Sequence, residues 1–246
     1  MVQVGSNPTA NLGSLIQLTR EAAGRGAELV LFPEAVITGL VNNDNPDHDL
    51  VLGQSIPGPA TAAVCALARE FGVWVALGLL ESDAGALYDA AVLIDATGAV
   101  RLKHRRVNPQ WHGSRASLDV YRQGERVDAV TTPWGKMAFL ICGDLFDEHV
   151  AGQARALSPD WVLFPFARCF AGGGVDQDRW DREEMPAYVA RVQSVGAPAL
   201  MVYYLADGDT LPEDHSFGGA FVVLADGTIH AQMPLGVEGL LVVDTP

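Results

Sequence analysis

Cys142 closes the apolar run Met137-Ala138-Phe139-Leu140-Ile141 and is followed at once by Gly143-Asp144. A buried strand that ends on a thiol, with glycine opening a tight turn beside it, has the geometry of a nucleophile elbow. A free cysteine at a strand end is, by itself, more often a small core hydrophobe, so the assignment rests on partners. Glu34 stands just beyond the short apolar strand Leu29-Val30-Leu31-Phe32 and its terminating Pro33, and Lys103 lies in Val100-Arg101-Leu102-Lys103-His104-Arg105-Arg106-Val107. An acid after a strand commonly caps or pairs at the surface, and a lysine in a basic tetrad is commonly solvated. A thiol, a carboxylate and an ammonium brought together would instead supply a nucleophile, a proton acceptor and a stabilising charge, the needs of acyl chemistry.

The elements that must deliver these residues are readable as alternating helices and strands. Asn11 is expected to cap a helix with Leu12, Leu15, Ile16, Ala22 and Ala23 on one face, ended by Gly24 and Gly26 before the strand that leads to Glu34. Pro57-Gly58-Pro59 opens a second helix through Arg69, and Val73 to Gly78 reads as the next strand. Ala91 to Asp95 and Ala99 to Leu102 flank the turn Ala96-Thr97-Gly98 as a hairpin. Beyond Cys142, helices are expected over Glu148 to Leu157 and Arg182 to Ser194. Strands are expected over Trp161 to Pro165, Ala199 to Leu205 and Gly219 to Leu224, with Ala225-Asp226-Gly227 as a hairpin turn. This order indicates a layered α/β domain with mixed sheets. Asn42 to Asp47 and Ala171 to Gly174 are the most loop-like stretches, and either could rim an active site.

Three segments, in order, resemble the signature segments of the nitrilase, or carbon-nitrogen hydrolase, superfamily: Leu31 to Gly39, Lys103 to Val107, and Leu140 to Glu148. The likeness extends to Leu87-Tyr88-Asp89-Ala90-Ala91, Thr132 to Met137 and Ser216-Phe217-Gly218-Gly219. The resemblance implies a four-layer α-β-β-α sandwich over residues 1–246 as one domain, paired through a helical face into a homodimer or higher homo-oligomer. It implies that Glu34 acts as base toward Cys142, whose sulfur forms a thioester with a small amide, and that Glu34 then activates the hydrolytic water. Lys103 would favour the thiolate and stabilise the oxyanion, with the Gly143 backbone N–H as second donor. The expected substrate is a small ω-amide or N-carbamoyl compound. Nitrile processing, acyl transfer by the same thioester route, and non-catalytic binding stand as alternatives.

Two departures from the family pattern appear near Lys103. A second glutamate, frequent in the family between lysine and cysteine, falls on Ser117 in an ungapped match from Lys103 to Gly124, and the only acid between Lys103 and Gly124 is Asp119. Asp119 is therefore the candidate second acid, although a shift of two positions and a shorter stem argue that the family's acid is absent. The sequence also reads Val107-Asn108-Pro109 where a histidine often follows the valine. Trp111, His112, Phe146 and Arg168, with Trp180, are candidates for the pocket wall, and Arg168 could pair with a substrate carboxylate or with one of the chain's many acids. His104, His112, His149 and His215 offer a Cys-His arrangement by type, but none lies in a local protease-like signature.

Composition sets the outer bounds. The 246 residues, 49% of them hydrophobic, suffice for a sizeable core without metals or disulfides. No membrane-length apolar run or secretory leader is recognisable, and with three cysteines no disulfide framework is expected, which points to a reducing cytoplasm. Cys65 reads as core, and Cys169 as structural although it follows another buried strand. No metal-ligand spacing or cofactor motif is present, so neither a metal nor a cofactor is expected. A net charge of −14 disfavours nucleic acid and anionic membranes as partners.

Overall fold

In the computed structural model, which describes residues 1–245, alternation along the strands sorts side chains into three cores that separate four layers. The first half of the chain contributes β1 (Gln3–Val4), α1 (Pro8–Gly24), β2 (Leu29–Leu31), α2 (Pro46–Leu52), α3 (Pro59–Phe71), β3 (Trp74–Asp83), β4 (Ala86–Ile94) and β5 (Val100–Arg105). The second half contributes β6 (Ala129–Thr132), β7 (Gly135–Phe139), a 3-10 turn over Cys142–Phe146, α4 (Glu148–Leu157) and β8 (Trp161–Pro165). The short α5 (Gln177–Arg179) runs through a π-helical turn, Trp180–Glu184, into α6 (Met185–Val195), and β9 (Ala199–Ala206), β10 (Phe217–Val223) and β11 (Ile229–Gln232) follow.

One sheet has the order β2-β3-β4-β5, with β2 parallel to β3 and the rest antiparallel. The other runs β11-β10-β9-β8-β7-β6, with β7, β8 and β9 parallel and β1 joined to the far end of β9. Val75, Leu77, Leu79, Val92 and Ile94 face Leu15 of α1 and Val64 and Leu67 of α3. The intervening Ala76, Ala91 and Leu93 face Phe139, Ile141, Leu163 and Val222 across the gap between sheets. On the far side, Ala138, Leu140, Val162 and Phe164 pack under Val150 and Ala154 of α4 and Tyr188 and Val192 of α6. Period-two alternation in both sheets thus produces the mixed α-β-β-α sandwich that the family resemblance implied.

The local differences have simple causes. Asn7, not Asn11, caps α1, its side chain accepting from Thr9 N and Ala10 N with Pro8 in the first turn. Asn11 is buried one turn later and uses its amide to tie Gly5 O and Ile37 O together. The loop-like stretch after Asn42 is ordered by Asp49, which accepts from Asn43 N, Asp44 N and the Tyr121 hydroxyl, and Asn45 caps the short α2. Cys65 lies half-buried on α3 against the helix-facing core. No described helix is long and apolar enough to cross a membrane.

Candidate active site

Glu34, Cys142 and the segment after β5 meet at the carboxyl end of the strands, between the two sheets. Glu34 is fully buried just past β2, where Gly78 N donates to Pro33 O (2.9 Å) and Val36 N to Gly78 O (3.0 Å), stitching the bend to β3. A Cβ on residue 78 would come within 2.5 Å of the Glu34 Cα, so only glycine permits this approach. Cys142 opens the 3-10 turn with φ +45°, a left-handed conformation strained for a residue with a Cβ. Its thiol lies beside the Glu34 carboxyl and 3.8 Å from Ala167 O.

Lys103 is not at this site. In the β4–β5 register Lys103 lies opposite Val92, on the helix-facing side, and its Nζ pairs with Glu81 at 2.7 Å, at a partly exposed position. Arg105, two residues on, binds the same Glu81 and Asp83. His104 and Arg106 point the other way. Arg106, buried, sends Nη1 to Glu34 Oε1 (3.1 Å) and Asp89 Oδ2 (3.4 Å), and Nη2 to Gln110 O (2.9 Å) and Asn108 Oδ1 (3.4 Å). The cation beside Glu34 and Cys142 is thus Arg106, because side chains alternate faces along a strand and the tetrad can offer only one of the two to the inter-sheet space.

Gly143 permits that approach: a Cβ there would stand 2.5 Å from Arg106 Nη2 and 2.6 Å from Asn108 Oδ1. Asp144, also fully buried, fixes the elbow to the segment after β5. It accepts from Ile141 N (3.1 Å), Val107 N (3.0 Å), Asn108 N (2.8 Å) and faces His104 Nε2 at 2.9 Å. His104 is therefore a buried partner of Asp144, not of the thiol.

Burial shapes the electrostatics. It pushes the Glu34 carboxyl up to about 8, aided by the neighbouring Cys142 and opposed by Arg106. Burial, and next the charge of Glu34, hold Asp89 well above the usual carboxylate range. The Arg106 guanidinium stays charged: burial opposes its ionisation, but Cys142, Glu34 and Asp89 outweigh it.

The other expected residues scatter. Asp119 and Ser117 are exposed, and only their carbonyl oxygens are used, Asp119 O accepting from Arg122 Nε and Ser117 O from Val120 N and Tyr121 N. Asp119 therefore does not replace the missing second glutamate. Its change to asparagine should leave turnover within about twofold and stability within about 0.5 kcal/mol of the parent, measured side by side with Ser117→Ala. Trp111 is buried against Tyr121 and Ala35, and half-buried His112 packs on both aromatic rings. Phe146 meets Tyr188 edge-on with its outer face partly exposed. Arg168 is engaged by both oxygens of Glu184, which answers its charge within the chain. Trp180 is wholly buried among aromatic residues.

A cavity of about 640 Å³ is lined by Asn42, Asn43, Ala167, Arg168, Cys169 and Tyr204, among others. Ala167, whose carbonyl contacts the thiol, is its link to Cys142. The loop after Asn42 thus rims a cavity near the site, and exposed Cys169 stands on its wall. A second cavity of about 460 Å³ lies at the opposite end of the sheets, lined by Leu31, Trp134, Trp161 and the tail from Leu240 to Thr245, away from these groups.

Residues 1–160 match the model of the carbon-nitrogen hydrolase family. The chain belongs to that family. Its similarity to curated relatives includes 32% identity over 154 residues to an aliphatic nitrilase of Sinorhizobium fredii (strain HH103), covering 56% of this chain and 49% of that protein. A formamidase of Allorhizobium ampelinum is 30% identical over 122 residues, covering 48% of this chain and 33% of that protein. The chain spans about half the length of the first curated relative and less of the other. Among solved structures, a variant of the amidase from Nesterenkonia sp. AN1, bearing acrylamide added at its active-site cysteine, superposes with a TM-score of 0.78 at 19% identity, covering 100% of this chain and 90% of that one. The carbon-nitrogen hydrolase of Helicobacter pylori G27 does so with a TM-score of 0.80 at 18% identity, covering 95% and 84%. These two likenesses establish the fold.

Arg106 and Asp89 were not singled out from sequence. Strand alternation offered a signal for the first, since residues 103 and 105 share one face and 104 and 106 the other. The signal for Asp89 was an acid inside the otherwise uncharged run Ala86–Ile94, which is buried along its whole length.

Proposed function

We propose that this chain is a thiol hydrolase that cleaves the C–N bond of a small amide, with Cys142 as nucleophile, Glu34 as base and Arg106 as the charge that stabilises thiolate and oxyanion. The observation that carries this reading is the buried convergence of a strained cysteine, a raised carboxyl and a fixed guanidinium. The Cys142 S–H bond breaks as its proton passes to Glu34, the sulfur adds to the carbonyl carbon, and the oxyanion faces Arg106 and the Gly143 N–H. Glu34 returns the proton to the departing amine, leaving a thioester. Water then gives a proton to Glu34 and attacks the thioester, and the carboxylic acid leaves as the thiol is restored. Arg106 cannot act as an acid at ordinary pH, so every proton in this cycle passes through Glu34.

Glu34 must be ionised to begin. Its raised value places the rise of kcat/KM near pH 8, with about a tenfold fall per unit below that. Ammonia release from short aliphatic amides, followed from pH 5 to 10, checks this. A profile centred near pH 4 to 5, or no release from any amide, would overturn the assignment of Glu34 as base. Similarity to an aliphatic nitrilase favours a second reading, attack of the same thiol on a nitrile; ammonia together with acid from a nitrile substrate would mark it.

A further inference from the structure

Asp89 is a buried acid with no part in the cycle above. It projects from β4 on the inter-sheet face shared with Ala91 and Leu93, and its carboxyl is in contact with that of Glu34. One oxygen of each acid converges on a single nitrogen, Arg106 Nη1, while the other oxygens, Glu34 Oε2 and Asp89 Oδ1, are fully buried without a partner. Two carboxylates cannot donate to each other, and one guanidinium cannot neutralise both. A single proton between them supplies the missing donor and brings the charges into balance.

We propose that Asp89 is the proton-bearing member of this pair, donating a hydrogen bond to Glu34, so that the pair carries one negative charge matched to Arg106 and Glu34 stays able to accept the Cys142 proton. Asp89 is thus a positioning residue, acting through Glu34. When the thiol proton reaches Glu34, both acids are neutral and Arg106 turns its charge to the thiolate, so the number of buried charges is unchanged. Burial raises both acids, which agrees with a proton held between them. The ionisable groups facing the pair are Arg106 after β5, Cys142 and Asp144 of the elbow, and Tyr188 of α6; His104 stands behind Asp144.

This inference rests on Glu34 being the base, but its test needs no turnover. Iodoacetamide labelling of Cys142 in the full chain, followed by peptide mass mapping across pH, reports when the Glu34–Cys142 pair loses its proton. Asp89→Asn keeps a neutral donor and should hold the midpoint within about half a unit of the parent. Asp89→Ala removes the donor, which raises Glu34 further, so its midpoint should rise by about one unit, roughly tenfold slower labelling near neutrality. A midpoint that moves by a unit or more in Asp89→Asn would overturn the proposal, as would an Asp89→Ala midpoint equal to the parent's. If Asp89→Ala does not fold, the asparagine variant alone decides, because an ionised Asp89 predicts a fall. Should amides prove not to be substrates, the labelling profile still stands or fails by itself.

Discussion

Replacement of Cys142 by alanine is expected to reduce turnover by at least about a thousandfold while leaving the fold intact. No other thiol can substitute: Cys65 lies on α3 behind the four-stranded sheet, and Cys169 stands exposed on the cavity wall. Loss of a nucleophile removes the covalent route altogether, whereas loss of one stabilising donor slows it. The structural cost should be small. Cys142 is only partly buried, and its thiol meets the Glu34 carboxyl and, at 3.8 Å, Ala167 O, so truncation to alanine should cost about 1 kcal/mol or less. The φ of +45° remains unfavourable for alanine, so Cys142→Gly, equally inactive, should be no less stable than Cys142→Ala. Thermal unfolding of both variants beside amide turnover checks the pair of statements.

The second large effect belongs to Arg106. Its change to alanine leaves Glu34 and Asp89 buried with no cation and frees Gln110 O and Asn108. Breaking one side of a buried ion pair typically costs about 3–5 kcal/mol, so the variant should be markedly destabilised. The oxyanion would also lose its charged donor, for a loss of about a hundredfold or more in kcat. Lys103→Ala gives the contrast. Its ammonium shares Glu81 with Arg105 at a partly exposed position, so removing it should change stability by less than about 1 kcal/mol and turnover by less than about twofold. If Lys103→Ala were the inactive variant and Arg106→Ala the active one, the site as described would be wrong.

That contrast also shows what was legible in the sequence. Cys142 and Glu34 could be found because each ends a short apolar strand, and a strand end fixes where a side chain emerges. The alternating helices and strands were legible for a similar reason, since period-two and helical patterns each name a buried face, whereas the four layers were implied only by the resemblance to the nitrilase superfamily. The choice within Lys103-His104-Arg105-Arg106 was harder: alternation puts 103 and 105 on one face and 104 and 106 on the other, but with four consecutive basic or imidazole side chains it is the pairing of Lys103 with Val92 that reveals which face looks inward. Asp89 was hidden differently. Its segment reads as a strand buried on both faces, and nothing local says that an acid there meets Glu34, which is distant in sequence. Asn11 was expected to cap α1, but the cap is Asn7, followed by Pro8 in the first turn, a cue that the Asn11 reading passed over. Asp119 was a candidate only because it lies between two other motifs, and its exposure on the loop after Trp111 removes it.

Acid-quenched intact-mass measurement of the chain mixed with short aliphatic amides tests the central claim most directly. The account predicts a mass increase equal to the acyl group, located at Cys142 by peptide mapping, absent in Cys142→Ala and labile to hydroxylamine as a thioester. Turnover of an amide by the Cys142→Ala variant, or an adduct carried by a different residue, would contradict it.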